Sequence, residues 1–315
     1  MLACRPNLGK FFLTSGLVDE LIEVDKKSGV GRTQALKYLK ETEWDVIFCP
    51  HESPRTALWM RQLRAKRGKV GFHKWWNFAF FNKRVIKPMH LPDALRQLSL
   101  LAPMDARLAE LFGSDEVEAL GRPPDQSSPY DYRSPLIPEW ARMQVKTHAR
   151  EGKRIFLAPG SVWATKRWTE TGFEELARLL SARGFAVEFV GSEQEREICE
   201  RLAGRVKGAT SSAGKTSLGQ LVERFSKGTA LVCNDSGAMH AAAAAGLPTV
   251  AVFGPTSLAQ GFRPWQNQAL VVQRQLECRP CGKHGADACP IKTHACMVEI
   301  RAVDVVGALD SLLGF

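Results

Sequence analysis

No apolar run in this chain approaches the roughly 20 residues that a bilayer-spanning helix needs, and the first residues lack a secretory apolar core. Those absences argue against a helical membrane protein and predict a cytoplasmic chain. Internal repeats and heptad patterning are missing too, which removes solenoids and coiled coils. No paired-carboxylate motif marks a catalytic metal, and no recognised nucleic-acid motif accompanies the basic residues. One long stretch also lacks acid: Arg55 to Lys87 holds ten Lys or Arg and no Asp or Glu, as much as the whole net charge of +10.

That basic stretch carries Trp59, Phe72, Trp75, Trp76, Phe78, Phe80 and Phe81. Basic and aromatic surface suits an anionic membrane face or an anionic glycolipid. The plainer alternative is a solvated basic helix followed by core aromatics. At 315 residues and 44% hydrophobic content, the chain is long enough for two domains with separate cores. Cys4, Cys49, Cys199 and Cys233 lie singly in apolar segments, as buried thiols of a reduced compartment do.

The second half alternates strand and helix. Arg154-Ile155-Phe156-Leu157-Ala158 reads as a buried strand, followed by the turn Pro159-Gly160-Ser161. Phe173, Leu176, Ala177 and Leu180 then recur at i, i+3, i+4 and i+7, one face of a helix that Gly184 ends. Ala186 to Val190 is the next strand, Gly191-Ser192 turns into a helix near Glu193, and Leu218, Leu221, Val222 and Phe225 stripe another helix. Such alternation predicts an α/β fold with a parallel sheet covered on both faces, whose ligands bind at the carboxyl ends of the strands. The first half alternates as well, with strands expected at Leu21–Asp25, Asp45–Cys49 and Lys69–Phe72. Between Gly121 and Arg150 the residues Pro123, Pro124, Ser127, Ser128, Pro129, Pro135 and Pro138 mark a linker or an irregular connection. The boundary is placed there, giving domains 1–140 and 141–315.

The most informative stretch is Asn234-Asp235-Ser236-Gly237-Ala238-Met239-His240, which runs into five alanines and Gly246-Leu247-Pro248. It stands between two apolar runs, so it reads as strand, polar turn, small-residue helix, strand. Asp235, Ser236 and Gly237 fall at a helix N-terminus, where backbone N–H groups and the dipole attract anions. Gly237 permits close approach of a pyrophosphate, Ser236 can donate to a phosphate oxygen, and His240 lies one turn into the helix. Asp235 either receives sugar hydroxyls or fixes the loop, and a simple capping role is the alternative.

The order and residues of this motif resemble the donor-binding motif of the bacterial lipopolysaccharide heptosyltransferases, glycosyltransferase family 9. The resemblance implies the GT-B architecture, two Rossmann-like domains with parallel sheets facing across a cleft. It implies an acceptor-binding first domain and an ADP-sugar donor-binding second one. It also implies an inverting transferase that moves heptose from ADP-heptose to the lipid A-linked inner core. Ala158-Pro159-Gly160-Ser161 with Lys166-Arg167-Trp168 looks like a second family motif. Ser161 would reach a phosphate, and Lys166 would supply a mobile positive charge to the departing diphosphate. A capped helix with an exposed lysine is the competing reading. By the same resemblance Glu193 accepts ribose hydroxyls, Thr216 lines the adenine pocket, and Ser53 and Arg55 contact acidic groups of the acceptor. Glu193 as a helix N-terminal acid and Arg55 as a solvated arginine are the plain alternatives.

No cofactor or metal is expected beyond the ADP-sugar substrate. The expected partners are an anionic glycolipid and the inner leaflet, with no nucleic acid. The cluster Cys278, Cys281, Cys289 and Cys296 opens as a CxxC, but its second pair is six residues apart and departs from the usual zinc spacing. Similar cysteines occur in some heptosyltransferases of the second type. One departure bears on activity: family members open with a strand and a Gly-Asp loop whose aspartate acts as base. Leu2-Ala3-Cys4 here looks like the family's second strand. An opening β–α unit of roughly 30 residues is therefore expected to be missing. A start placed too late, or a non-catalytic nucleotide-sugar binder, would explain it, and Asp19, Glu20 and Asp25 offer no replacement base.

Overall fold

The structure, a computed structural model, describes residues 1–6, 9–25, 29–115, 117, 132–133, 153–264 and 268–314. The chain divides into two compact units, Met1–Arg122 and Pro123–Phe315. The expected connection at 121–150, and with it the 140/141 boundary, lies outside the described residues except for two of them.

Among its described residues unit 1 holds five strands: β1 (Leu2–Cys4), β2 (Leu21–Glu23), β3 (Trp44–Cys49), β4 (Ala65–Phe72) and β5 (Lys83–Val85). They form two parallel sheets, β1-β2 and β3-β4-β5, rather than one. Among the described residues β1 and β3 each have a single strand neighbour, and both line a cavity of about 1260 Å³ with Leu2, Cys4, Val46 and Phe48 among its walls. Behind β3, the helix Pro54–Gln62 buries Ala57 and Met60 against Leu39, Cys49 and Phe81. Phe81 rests on Gly71 of β4, where a side chain would clash with the ring.

The aromatics of the basic stretch split between the two readings. Phe72 and Phe81 are core, and Trp59, Trp76 and Phe80 pack against it half-buried. Trp75 is 84% exposed, and Phe78 and the nearby Ile86 and Met89 are exposed as well. Of the four single cysteines, Cys49, Cys199 and Cys233 are buried, whereas Cys4 is only half-buried because β1 lines the cavity.

The described residues of unit 2 form one seven-stranded sheet. Its strands are β6 (Tyr132–Arg133), β7 (Arg154–Ala158), β8 (Ala186–Phe189), β9 (Thr210–Ser211), β10 (Ala230–Asn234), β11 (Thr249–Phe253) and β12 (Gln268–Gln273), in the order β6-β12-β11-β10-β7-β8-β9. All neighbours are parallel except β6 on β12. β10 and β11 are buried along their full length, as continuous apolar runs in a doubly covered sheet must be. The helix Glu170–Ala182 begins at Thr169, whose hydroxyl accepts the Gly172 N–H at 3.0 Å. It buries the expected stripe Phe173, Leu176, Ala177 and Leu180, and Gly184 with φ +81° turns the chain into β8. Phe173, Leu176 and Leu180, fully removed from water, each contribute on the order of 1.5–3 kcal/mol. The sheet order reverses between β7 and β10, which creates the crevice where ligands of open α/β sheets bind. No helix among the described residues is long and apolar enough to cross a membrane.

Candidate functional site: the crevice between two strand ends

Register puts Cys233 of β10 beside Ala158 of β7, so the turns that follow these strands leave the sheet side by side. Asn234 ties them together. Its side chain is fully buried; Nδ2 donates to the carbonyls of Pro159 (2.8 Å) and Gly160 (3.3 Å), and Oδ1 accepts the Trp168 N–H at 2.9 Å. Trp168 is pinned at its other end, its indole N–H donating to the Ile300 carbonyl at 2.9 Å. Between these anchors the chain makes a short 3-10 turn, Ala164–Lys166, that delivers Lys166 into the crevice.

Lys166 is buried, unlike the exposed lysine of the competing reading, and it is held at its tip. Its side chain is 9% exposed, and Nζ donates to Asp235 Oδ2 at 2.6 Å. The same oxygen accepts the Thr256 hydroxyl at 2.7 Å, from the turn after β11. Asp235 therefore fixes three turns at one point, the loop-fixing alternative among its expected roles. Burying two charges costs several kcal/mol each, and short contact with a further hydrogen bond on the carboxylate offsets that cost. An ammonium carries three N–H donors, of which Asp235 takes one. The Phe262 ring lies 5.7 Å from Nζ.

Ser161 is also buried, its hydroxyl donating to the Asp235 carbonyl at 3.4 Å. Ser236 is the N-cap of the helix Gly237–Ala244 but makes no side-chain cap bond. Gly237 is exposed with open space where a Cβ would stand, and His240, in the helix's second half-turn, is exposed. The helix amides and dipole thus meet solvent beside Lys166, an arrangement that attracts an anion.

On the neighbouring strand, Glu193 follows β8 in a 3-10 turn and pairs with Arg196, with its carboxylate against Gly214. The Gly214 N–H donates to the Gly191 carbonyl at 3.0 Å, which joins this turn to the loop bearing half-buried Thr216. Gly160 links the two halves of the edge: a Cβ there would overlap the Glu195 carboxylate. The structure therefore brings Ser161, Lys166, Asp235, Ser236, Gly237 and His240 together, with Glu193 and Thr216 on the adjoining strand ends.

In unit 1, Ser53 caps the helix Pro54–Gln62, accepting the Thr56 N–H at 3.3 Å, and contacts His51 Nδ1 at 3.0 Å. Arg55 is exposed on that helix's first turn. Beside them Glu52 joins Lys74 (2.6 Å) and Lys87 (2.7 Å). Burial alone would raise its pKa, but the two lysine bonds outweigh that and hold it below the ordinary glutamate value.

Sequence reasoning missed the joints: Asn234 as a bridge, Thr256 as second donor to Asp235, and a wall formed by the cysteine-bearing segment. Asn234 stood in the motif, but only the register of β7 on β10 reveals what its amide holds. Among the described residues no group of three or more His, Cys, Asp or Glu is arranged to hold a metal ion.

Comparison with known proteins bears on this geometry. Residues 32–291 match the family model described as glycosyltransferase family 9 (heptosyltransferase). Lipooligosaccharide heptosyltransferase 2 of Campylobacter jejuni is 33% identical over 184 residues, 56% of this chain and 56% of that protein, so the chain spans little more than half of that relative's length. The lipopolysaccharide core heptosyltransferase OpsX of Haemophilus influenzae is 25% identical over 93% of this chain and 82% of its own. The solved structure of Escherichia coli ADP-heptose LPS heptosyltransferase II superposes with a TM-score of 0.69 at 22% identity, over 98% of this chain and 88% of that one. At that identity the likeness carries the α/β GT-B fold.

Proposed function

The chain belongs to glycosyltransferase family 9, the heptosyltransferases, and from that premise we propose that it moves heptose from ADP-heptose to the lipopolysaccharide inner core with inversion. An acceptor hydroxyl attacks the anomeric carbon, the bond to the diphosphate breaks, and ADP leaves with the electron pair. The charge that grows on the diphosphate is met by the free N–H donors of Lys166 and the amides that open the helix at Gly237. Ser161, Ser236 and His240 surround the same anion, Glu193 accepts the ribose hydroxyls, and Thr216 lines the adenine side. Ser53 and Arg55 contact the anionic acceptor, a Kdo- or heptose-bearing glycolipid. Trp75, Phe78 and Ile86 lay the first unit on the anionic inner leaflet, where that glycolipid is made. The acceptor hydroxyl gives its proton to solvent water as the new glycosidic bond forms.

The observation that carries this reading is the buried Lys166–Asp235 pair set beside an uncapped helix N-terminus at the sheet's reversal point. Calorimetric titration with ADP, and transfer of labelled heptose from ADP-heptose to heptose-deficient lipopolysaccharide, test it. Binding of ADP that weakens at least about tenfold in Lys166→Ala is expected, the scale of a lost charge-assisted bond. No ADP binding by the unaltered chain sinks the reading. Binding without transfer favours a nucleotide-sugar binder instead.

A further inference from the structure

The segment from Cys278 to Met297 has no part in the scheme above, yet it grips the turn that carries Lys166. Thr165 makes three bonds to Ala286: its N–H donates to the Ala286 carbonyl at 3.1 Å, its hydroxyl donates to the same oxygen at 2.8 Å, and it accepts the Ala286 N–H at 2.8 Å. On the other side, His294 Nε2 lies 2.8 Å from the Thr165 carbonyl, which fixes that nitrogen as the donor. Gly285, at φ +92°, sits so close that a Cβ would stand 3.2 Å from Lys166 Cγ. The segment reaches the opposite side of the ion pair as well, because Arg279 donates to the Thr256 carbonyl at 2.7 Å and the Cys281 N–H to the Pro255 carbonyl at 2.9 Å.

A lysine side chain has four rotatable bonds and loses much freedom when held in one geometry. Asp235 holds only its tip. The stem is held by the backbone on which Thr165 sits, and that backbone is clamped by Ala286 and His294. His294 is itself set with φ +50°, a conformation that a non-glycine residue adopts only when its surroundings impose it. Its N–H donates to Cys289 Sγ at 3.4 Å.

We propose that Thr165 and His294 are positioning residues through which the cysteine-bearing segment 278–297 fixes the Lys166 ammonium against Asp235. The consequence for transfer rests on the donor-site reading above; the positioning itself does not.

The test is reductive methylation of the whole chain, followed by peptide mass spectrometry at Lys166 with exposed Lys207 as internal reference. Thr165→Val keeps the shape and removes the hydroxyl; Thr165→Ser restores it. Lys166 should be slow in the unaltered chain and about tenfold faster in Thr165→Val, the scale of one or two lost hydrogen bonds. It should be slow again in Thr165→Ser, with Lys207 constant throughout. His294→Asn, which tolerates the left-handed backbone but is too short to reach Thr165, should match Thr165→Val and replaces it if that variant does not fold. Lys166 rates unchanged in both variants overturn the proposal. ADP titration separates the failures. Protected Lys166 without ADP binding by the unaltered chain defeats the donor reading alone, whereas ADP binding with unchanged Lys166 reactivity in the variants defeats the positioning alone. If both stand, Thr165→Val lowers kcat for heptose transfer more than it raises KM for the donor, because the ammonium counts most as the diphosphate departs.

Discussion

The side-chain oxygen of Asn234 accepts the backbone N–H of Trp168 at 2.9 Å, and this bond joins the end of β10 to the turn that carries Lys166. The amide's other end holds two carbonyls of the turn after β7. Asn234→Leu strands all three backbone groups away from water, at about 1–3 kcal/mol for each such group. Urea denaturation should show a loss of at least about 3 kcal/mol. Asn234→Asp should be no milder at neutral pH, because a carboxylate faces carbonyls that it cannot satisfy. Its stability relative to the parent should improve on acidification, when the protonated acid regains a donor. Equal stability of the parent and Asn234→Leu would refute the bridging role.

The Lys166–Asp235 pair invites a second measurement. Removing one partner leaves a buried, unpaired charge and costs about 3–5 kcal/mol, whereas replacing both by apolar groups is often close to neutral. Lys166→Met and Asp235→Leu should each destabilise strongly, and the double variant should recover most of the loss. ADP affinity should stay lost in the double variant, which separates holding the fold from holding the anion. Additive losses in the double variant would show that the two charges act independently.

The legible part of this chain was the part governed by local pattern. The apolar runs of β7, β10 and β11 and the stripe Phe173–Leu180 are set by burial on both faces of a sheet, so periodicity finds them. The short strands β5 and β9 and the segment after β12 carry no such signal; they exist because neighbours pair with or pack on them. The candidate site was legible as residue types and not as a network. The burial of Lys166 was not legible, because nothing near it in sequence reveals Asp235, 69 residues away, or Ala286, 121 residues from Thr165. The basic stretch was ambiguous for the same reason, since Phe72 and Trp75 differ only in what the fold puts beside them.

Glu52 makes a prediction about acid. Its pKa in the folded chain lies below the ordinary glutamate value, because the bonds from Lys74 and Lys87 outweigh burial. A carboxyl with a depressed folded value contributes stability that is present above its unfolded pKa and is lost as pH falls through the folded one. The thermal midpoint of the parent should therefore drop more steeply than that of Glu52→Gln as pH falls below about 4.5. Above that range the parent should be the more stable of the two. Parallel profiles would show that the Lys74–Glu52–Lys87 bridge contributes nothing to folding.

That bridge also joins the chain just after β3 to the chain that follows β4 and β5, the two segments that carry the exposed apolar side chains. Trp75 and Phe78 rise from a turn built on buried Asn77, whose amide donates to the Phe72 carbonyl at 2.7 Å. Ile86, 81% exposed, stands immediately before Lys87. Side chains of this size contribute on the order of 1.5–3 kcal/mol when they leave water completely. Co-sedimentation with vesicles containing phosphatidylglycerol should exceed that with neutral vesicles. The excess should shrink as salt rises, since the screening length falls from about 10 Å at 0.1 M to about 3 Å at 1 M. Trp75→Ala with Ile86→Ala should lower the partition at least about tenfold at any salt concentration, because its contribution is apolar. Binding that ignores both salt and these two substitutions would place the membrane contact elsewhere on the protein.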